Sequence, residues 1–81
     1  GKFNVAITGS HTAGVPLTVN NNLDHDGGQN PSATDVYVNG QLMLSGTAAS
    51  NGDYKLHGVG ADRVAFFFAL ENEDQVIVIK A

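Results

Sequence analysis

The chain has 81 residues, 42% of them apolar and 15% charged, with a formal net charge of -4 and no cysteine. That apolar share is too high for a disordered segment, the length suits one small domain spanning residues 1–81, and the missing cysteine excludes disulfide or thiolate-zinc reinforcement. Four basic residues scattered along the sequence, Lys2, Lys55, Arg63 and Lys80, argue against nucleic acid and against an anionic membrane as partners.

No apolar run approaches the roughly 18 residues of a membrane span. The chain opens at Gly1 without an initiator Met, which reads as processed, trimmed or excised from something longer. A domain this short buries only about 60% of its unfolded surface, so self-association is a candidate source of stability.

Period-two alternation is the dominant local signal. Phe3, Val5 and Ile7 share one side of a first predicted strand, with Asn4, Ala6 and Thr8 on the other. Val15, Leu17 and Val19 repeat the pattern, and Pro16, lacking an N–H, suggests an edge strand or a strand start. From Asn20 to Thr34 the composition turns to Asn, Asp, Gly, Pro and Ser, a long surface loop of the kind that binds something or moves.

The segment from Asp35 to Leu44 places Asn39-Gly40 between two apolar runs, the chemistry of a type I′ hairpin. A two-residue turn pairs Val38 with Gln41, Tyr37 with Leu42, Val36 with Met43 and Asp35 with Leu44. One side then carries Tyr37, Leu42 and Leu44 and the other Val36, Val38 and Met43. Both are apolar, so the hairpin is expected to lie between a core and either a second layer or a neighbouring subunit.

A loose segment, Ser45 to Ser50, precedes the turn at Asn51-Gly52. Tyr54 to His57 is a short strand, and Gly58-Val59-Gly60 turns the chain again. Val64 to Phe68 is an aromatic strand and the acidic stretch Glu71 to Asp74 a hairpin tip. In the last strand, Gln75 to Lys80, Val76 and Val78 oppose Ile77 and Ile79. With no sustained helical period, the expected fold is all-β, a small antiparallel β-sandwich, jelly-roll or Ig-like, of six or seven short strands.

Chemistry-bearing residues are sparse. Asp24, His25 and Asp26 concentrate ligand atoms in the long loop. An EF-hand begun at Asp24 fails, because Gly28, Gln29 and Asp35 stand where a ligand, a glycine and a bidentate Glu are required. An irregular calcium site using Asp24, Asp26 and Asp35 is the remaining metal reading, and no cofactor is expected. His11, His25 and His57 have no zinc spacing, and Ser10 with His11 makes no triad by adjacency. Glu71, Glu73 and Asp74 read as a solvated turn rather than a glycosidase pair, because tuning a carboxyl requires burial. Carbohydrate binding would use Asn and Asp groups with aromatic faces, yet Trp is absent and Tyr37 and Tyr54 sit in strand patterns that bury them.

Five pieces occur in order: Val38-Asn39-Gly40 closing a strand, apolar Leu42-Met43-Leu44, Asp53-Tyr54 opening a strand, the set Val64, Phe66, Ala69 and Leu70, and the set Asp74, Val76 and Val78. Together they resemble small β-domains of bacteriophage virion proteins: capsid decoration, head-fibre and tail-fibre modules. The likeness covers about half the chain; residues 1–34 lie outside it, and the Ser45 to Ser50 segment is longer than the pattern has. It implies a non-enzymatic virion protein, commonly a homotrimer, attached to capsid or tail structural proteins and presenting loops outward. The expected oligomer interface is Val36, Val38, Met43, Phe67, Ile77 and Ile79, with Phe68 replacing Phe67 if the face assignment is reversed. The alternative is a carbohydrate-binding or adhesin module that meets host surface glycans through residues 20–34, with calcium.

Overall fold

The computed structural model describes residues 2–19, 34–57 and 63–80. Among them there is no helix, and the strands are β1 (Lys2–Ala6), β2 (Pro16–Thr18), β3 (Thr34–Val38), β4 (Gln41–Leu42), β5 (Tyr54–His57), β6 (Arg63–Phe66) and β7 (Gln75–Lys80). They form two antiparallel sheets, one ordered β1-β7-β3-β4 and the other β2-β6-β5. β2 is an edge and Pro16 is its first residue, so both positions open to a residue without an N–H are met. The turn predicted at Gly58 to Gly60 lies outside the described residues, as does all of the long predicted loop except Thr34, which opens β3.

The hairpin register follows from its turn. Asn39 and Gly40 take φ of 51° and 84°, as a type I′ turn demands, and Tyr37 pairs with Leu42 and Val38 with Gln41. One further rung forms where Met43 N–H donates to Val36 C=O at 2.8 Å. The predicted arm to Leu44 stops there. Leu44 N–H turns to the Asp53 carboxylate at 2.9 Å, and its carbonyl accepts the Asp53 N–H at 2.6 Å. Ser45 then bridges Tyr54, so the chain passes from one sheet to the other at this point.

The segment after Leu44, expected to be loose, is tightly tied. The Asn51 side chain accepts from the N–H groups of Thr47 (2.8 Å) and Ala48 (3.1 Å) and donates to Thr47 Oγ1 at 2.9 Å. Gly46 and Gly52 lie backbone against backbone, so that a methyl group on Gly52 would fall 2.6 Å from both Gly46 Cα and Gly46 N. The aromatic strand also ends early, at Phe66: Phe67 N–H still donates to its in-register partner Asp53 C=O at 2.9 Å, but Asp53 N–H leaves the ladder for Leu44 C=O, so the rung is not completed.

One core joins the sheets. Val36, Val76 and Val78 of the four-stranded sheet meet Tyr54, Leu56, Val64 and Phe66 of the other, with Ile7 and Leu70 from flanking segments. Phe3, Val5, Leu17, Val19, Met43 and Phe68 pack on its margin. Tyr54 and Phe66, paired across β5 and β6, are tilted at 54° with centroids 6.3 Å apart, and Phe66 meets Phe68 at 5.3 Å. Each fully buried Val contributes roughly 1.5–3 kcal/mol of transfer free energy. Val15, at the same parity as Leu17 and Val19, is exposed, while those two pack on the margin of the core.

Candidate interaction surface

The outer side of the four-stranded sheet is built by register. Asn4, Ile77, Tyr37 and Leu42 stand opposite one another across β1, β7, β3 and β4 and form one row. Lys2, Ile79 and Asp35 form the next, and Leu44 lies beyond the end of β4, where the chain has left the ladder. Leu42 is 50% exposed, Leu44 66% and Ile79 40%, while Ile77 and Tyr37 are half-buried by their neighbours. Apolar side chains therefore face outward in two adjacent rows.

This placement corrects part of the predicted interface. Val36 is fully enclosed and Val38 nearly so, and Met43 is half-buried against the same core, so the chain's own second sheet covers the side that the sequence pattern assigns to a neighbour. Phe67 is half-buried beyond the end of β6. Ile77 and Ile79 do lie on the outer side. Tyr37 and Leu42 join them, two residues that the hairpin register groups with Leu44 without choosing their side. Asp35 at the same parity is the available signal, because a carboxylate in a short hairpin marks the side facing water. Tyr54 is buried as expected, but Tyr37 is not fully so.

Lys2 and Asp35 are the charged residues of this face among the described strands. They stand on either side of Ile79 in one row. Both are exposed, and neither makes an ion pair within the described residues. Burial raises the Tyr54 hydroxyl pKa above its ordinary value, and the Asp35 carboxylate adds to the rise.

The end of the sheet beside this face is held by a polar clamp that the Asn-Gly motif alone does not disclose. Asn39 N–H donates to Gln75 C=O at 2.8 Å, and Gln75 N–H returns a bond to Asn39 Oδ1 at 2.9 Å. Asn39 Nδ2 donates to Asp74 Oδ1 at 3.0 Å, and Asp74 Oδ2 accepts Glu71 N–H at 2.8 Å. The Glu71 N–H first and the Asn39 amide second hold the Asp74 carboxyl below the usual range, with a small opposing effect of burial. Asp74 is thus occupied as a structural acceptor.

The remaining candidates are not brought together. His11 Nε2–H donates to Val15 C=O at 2.7 Å, which fixes the ring to its own loop. Ser10 is exposed, and Glu71 and Glu73 are exposed at the predicted hairpin tip. Asp24, His25 and Asp26 lie outside the described residues, and no group of three metal-ligating side chains occurs among those described. Compared with known proteins, the chain matches no family model, no curated protein and no solved structure. Local geometry is therefore what a functional reading rests on.

Proposed function

We propose that this chain is a non-enzymatic structural module of a bacteriophage virion, a capsid-decoration or fibre domain that associates through the outer side of its four-stranded sheet. The observation that carries the reading is the outward row Ile77, Tyr37 and Leu42 with Ile79 beside it. A sheet whose second side is solvated normally alternates apolar with polar residues; β1 does so with Lys2 and Asn4 outward, but β7 and β4 place Ile77, Ile79 and Leu42 there. The five motif pieces agree with the reading. They fall on the β3–β4 hairpin, the start of β5, the β6 region and β7, the segments that build this sheet and its support.

The two sheets are read as a sandwich. β1 lies beside β7 and β2 beside β6, the nested order of a jelly-roll, whereas an Ig-like sheet sets the first strand beside the second. Four strands at about 4.8 Å spacing and two rows about 6.8 Å apart give a footprint of roughly 260 Å² per copy. That is below the usual ~800 Å² per partner, so association through this face alone is weak. The resemblance implies attachment to capsid or tail structural proteins and a place on the virion. The resemblance implies three copies, while the charge pattern of this face points to two.

The test is cosedimentation with phage particles that lack the chain. The wild type pellets with them, and Leu42→Asp and Ile79→Asp, which keep the core, stay in the supernatant. Equal pelleting of wild type and both variants refutes the outer side as the docking site. Glycan-array binding abolished by a chelator would favour the carbohydrate-binding alternative, whose loop lies outside the described residues.

A further inference from the structure

The outer side of the four-stranded sheet is complementary to itself, and we propose that its occupant is a second copy of this chain, packed back to back about a two-fold axis parallel to β7. The inference rests on the reading of this face as an interface and adds the partner and its geometry. Rotation about such an axis lays β7 over its own copy, β1 over β3 and β3 over β1, with strand direction retained. Rows then face rows in reverse order. Lys2 meets Asp35 of the second copy, Asp35 meets Lys2, and Ile79 meets Ile79 between them. In the next row Asn4 meets Tyr37, Ile77 meets Ile77, and Leu42 overhangs the open edge of β1 in the second copy.

Charge selects this register. A shift by one strand, placing β7 over β3, sets Asp35 against Ile79 and leaves both charges without a partner. Centring on β7 gives two opposite-charge pairs flanking an apolar strip, an arrangement of core and rim typical of protein interfaces. Sheets stack in this manner about 10 Å apart, with strands within about 30° of alignment. No other charged residue of the described strands lies on the face to oppose it.

The decisive experiment mixes two charge reversals, Lys2→Glu and Asp35→Lys, both at exposed positions. Each alone puts like charges in contact twice per pair and is expected to weaken self-association about tenfold in sedimentation equilibrium. An equimolar mixture restores it, because the carboxylate introduced by Lys2→Glu then faces the ammonium introduced by Asp35→Lys, while the unchanged Asp35 of the first variant faces the unchanged Lys2 of the second. No interaction within one chain produces rescue on mixing. As a second readout, Gln75→Cys, on the axis at the end of β7, is linked to itself by a short bis-maleimide. Lys55→Cys, on the other sheet, is not. A mass of three chains, a mixture no tighter than its components, or a wild type that remains single at high concentration overturns the pairing. If Leu42→Asp still abolishes binding to particles in any of those cases, the docking face stands and only its occupant is wrong.

Discussion

Replacing Gly52 by Ala tests the tie between the two sheets. A Cβ there falls 2.6 Å from Gly46 Cα and Gly46 N and 2.8 Å from Ser45 C, all of them backbone atoms that no side-chain rotation relieves. Restoring ordinary contact of about 3.5 Å requires the strands of the loop to part by nearly 1 Å. The bonds that must stretch are Gly46 N–H to Tyr54 C=O at 2.9 Å and Asp53 N–H to Leu44 C=O at 2.6 Å. Two weakened hydrogen bonds at about 0.5 kcal/mol each, added to overpacking of about 1–3 kcal/mol, give a loss of about 2–4 kcal/mol. With a urea m value near 1 kcal/mol/M for so small a domain, the unfolding midpoint falls by about 2–4 M. Far-UV circular dichroism in a urea titration reads this directly, with Ser50→Ala, at an exposed position, expected within about 0.5 kcal/mol of wild type. A Gly52→Ala loss below about 0.5 kcal/mol would show that the approach of Gly46 to Gly52 does not hold the sheets together.

Other expected outcomes separate core from surface. Val36→Ala, at a site with no exposure, lowers stability by about 1.5–3 kcal/mol in thermal or urea unfolding, whereas Leu42→Ala, half-exposed, changes stability by under about 1 kcal/mol and acts on self-association instead. Asp74 is depressed in the folded state, so its contribution is present above the unfolded carboxyl pKa of about 3.9 and is lost as pH falls through the lower folded value. Thermal unfolding of Asp74→Asn therefore shows a shallower loss of midpoint across the acid range than wild type. Glu73, a non-glycine residue at φ 75°, is in the left-handed region, and Glu73→Gly raises stability by about 0.5–1 kcal/mol while its N–H bond to Ile7 C=O persists. A destabilised Glu73→Gly would show that its side chain does more than tolerate the turn.

The sequence exposes most of the ladder and less of its orientation. Asn39-Gly40 fixes a turn, a turn fixes register, and register decides which residues share a side. That chain of reasoning needs only local chemistry and reaches Tyr37 and Leu42 correctly. Which side faces inward is a tertiary question, and in β7 the competing sets are Val76 with Val78 and Ile77 with Ile79, whose transfer free energies differ too little to decide it. Strand ends fail for a related reason. Leu44 continues the apolar pattern, but its N–H and C=O are claimed by Asp53, whose own N–H is thereby drawn off the ladder before Phe67 can complete its rung, a competition that periodicity does not register. The same Asp53 makes the segment after Leu44 ordered, where composition alone suggests slack. The predicted ligand cluster at Asp24, His25 and Asp26 falls outside the described residues, so the candidate site comes from the strands instead.

The brevity of β4 limits what the four-stranded sheet can become. Ribbons that grow sideways, molecule after molecule, need receptive hydrogen-bonding flanks at both ends of every sheet. Here one flank offers two residues before the backbone peels away to join β5, so lateral propagation through this sheet has no second foothold. A molecule rich in Val, Ile and Phe thus carries within its own chain path a brake on fibril growth, and finite assemblies are what its geometry leaves open.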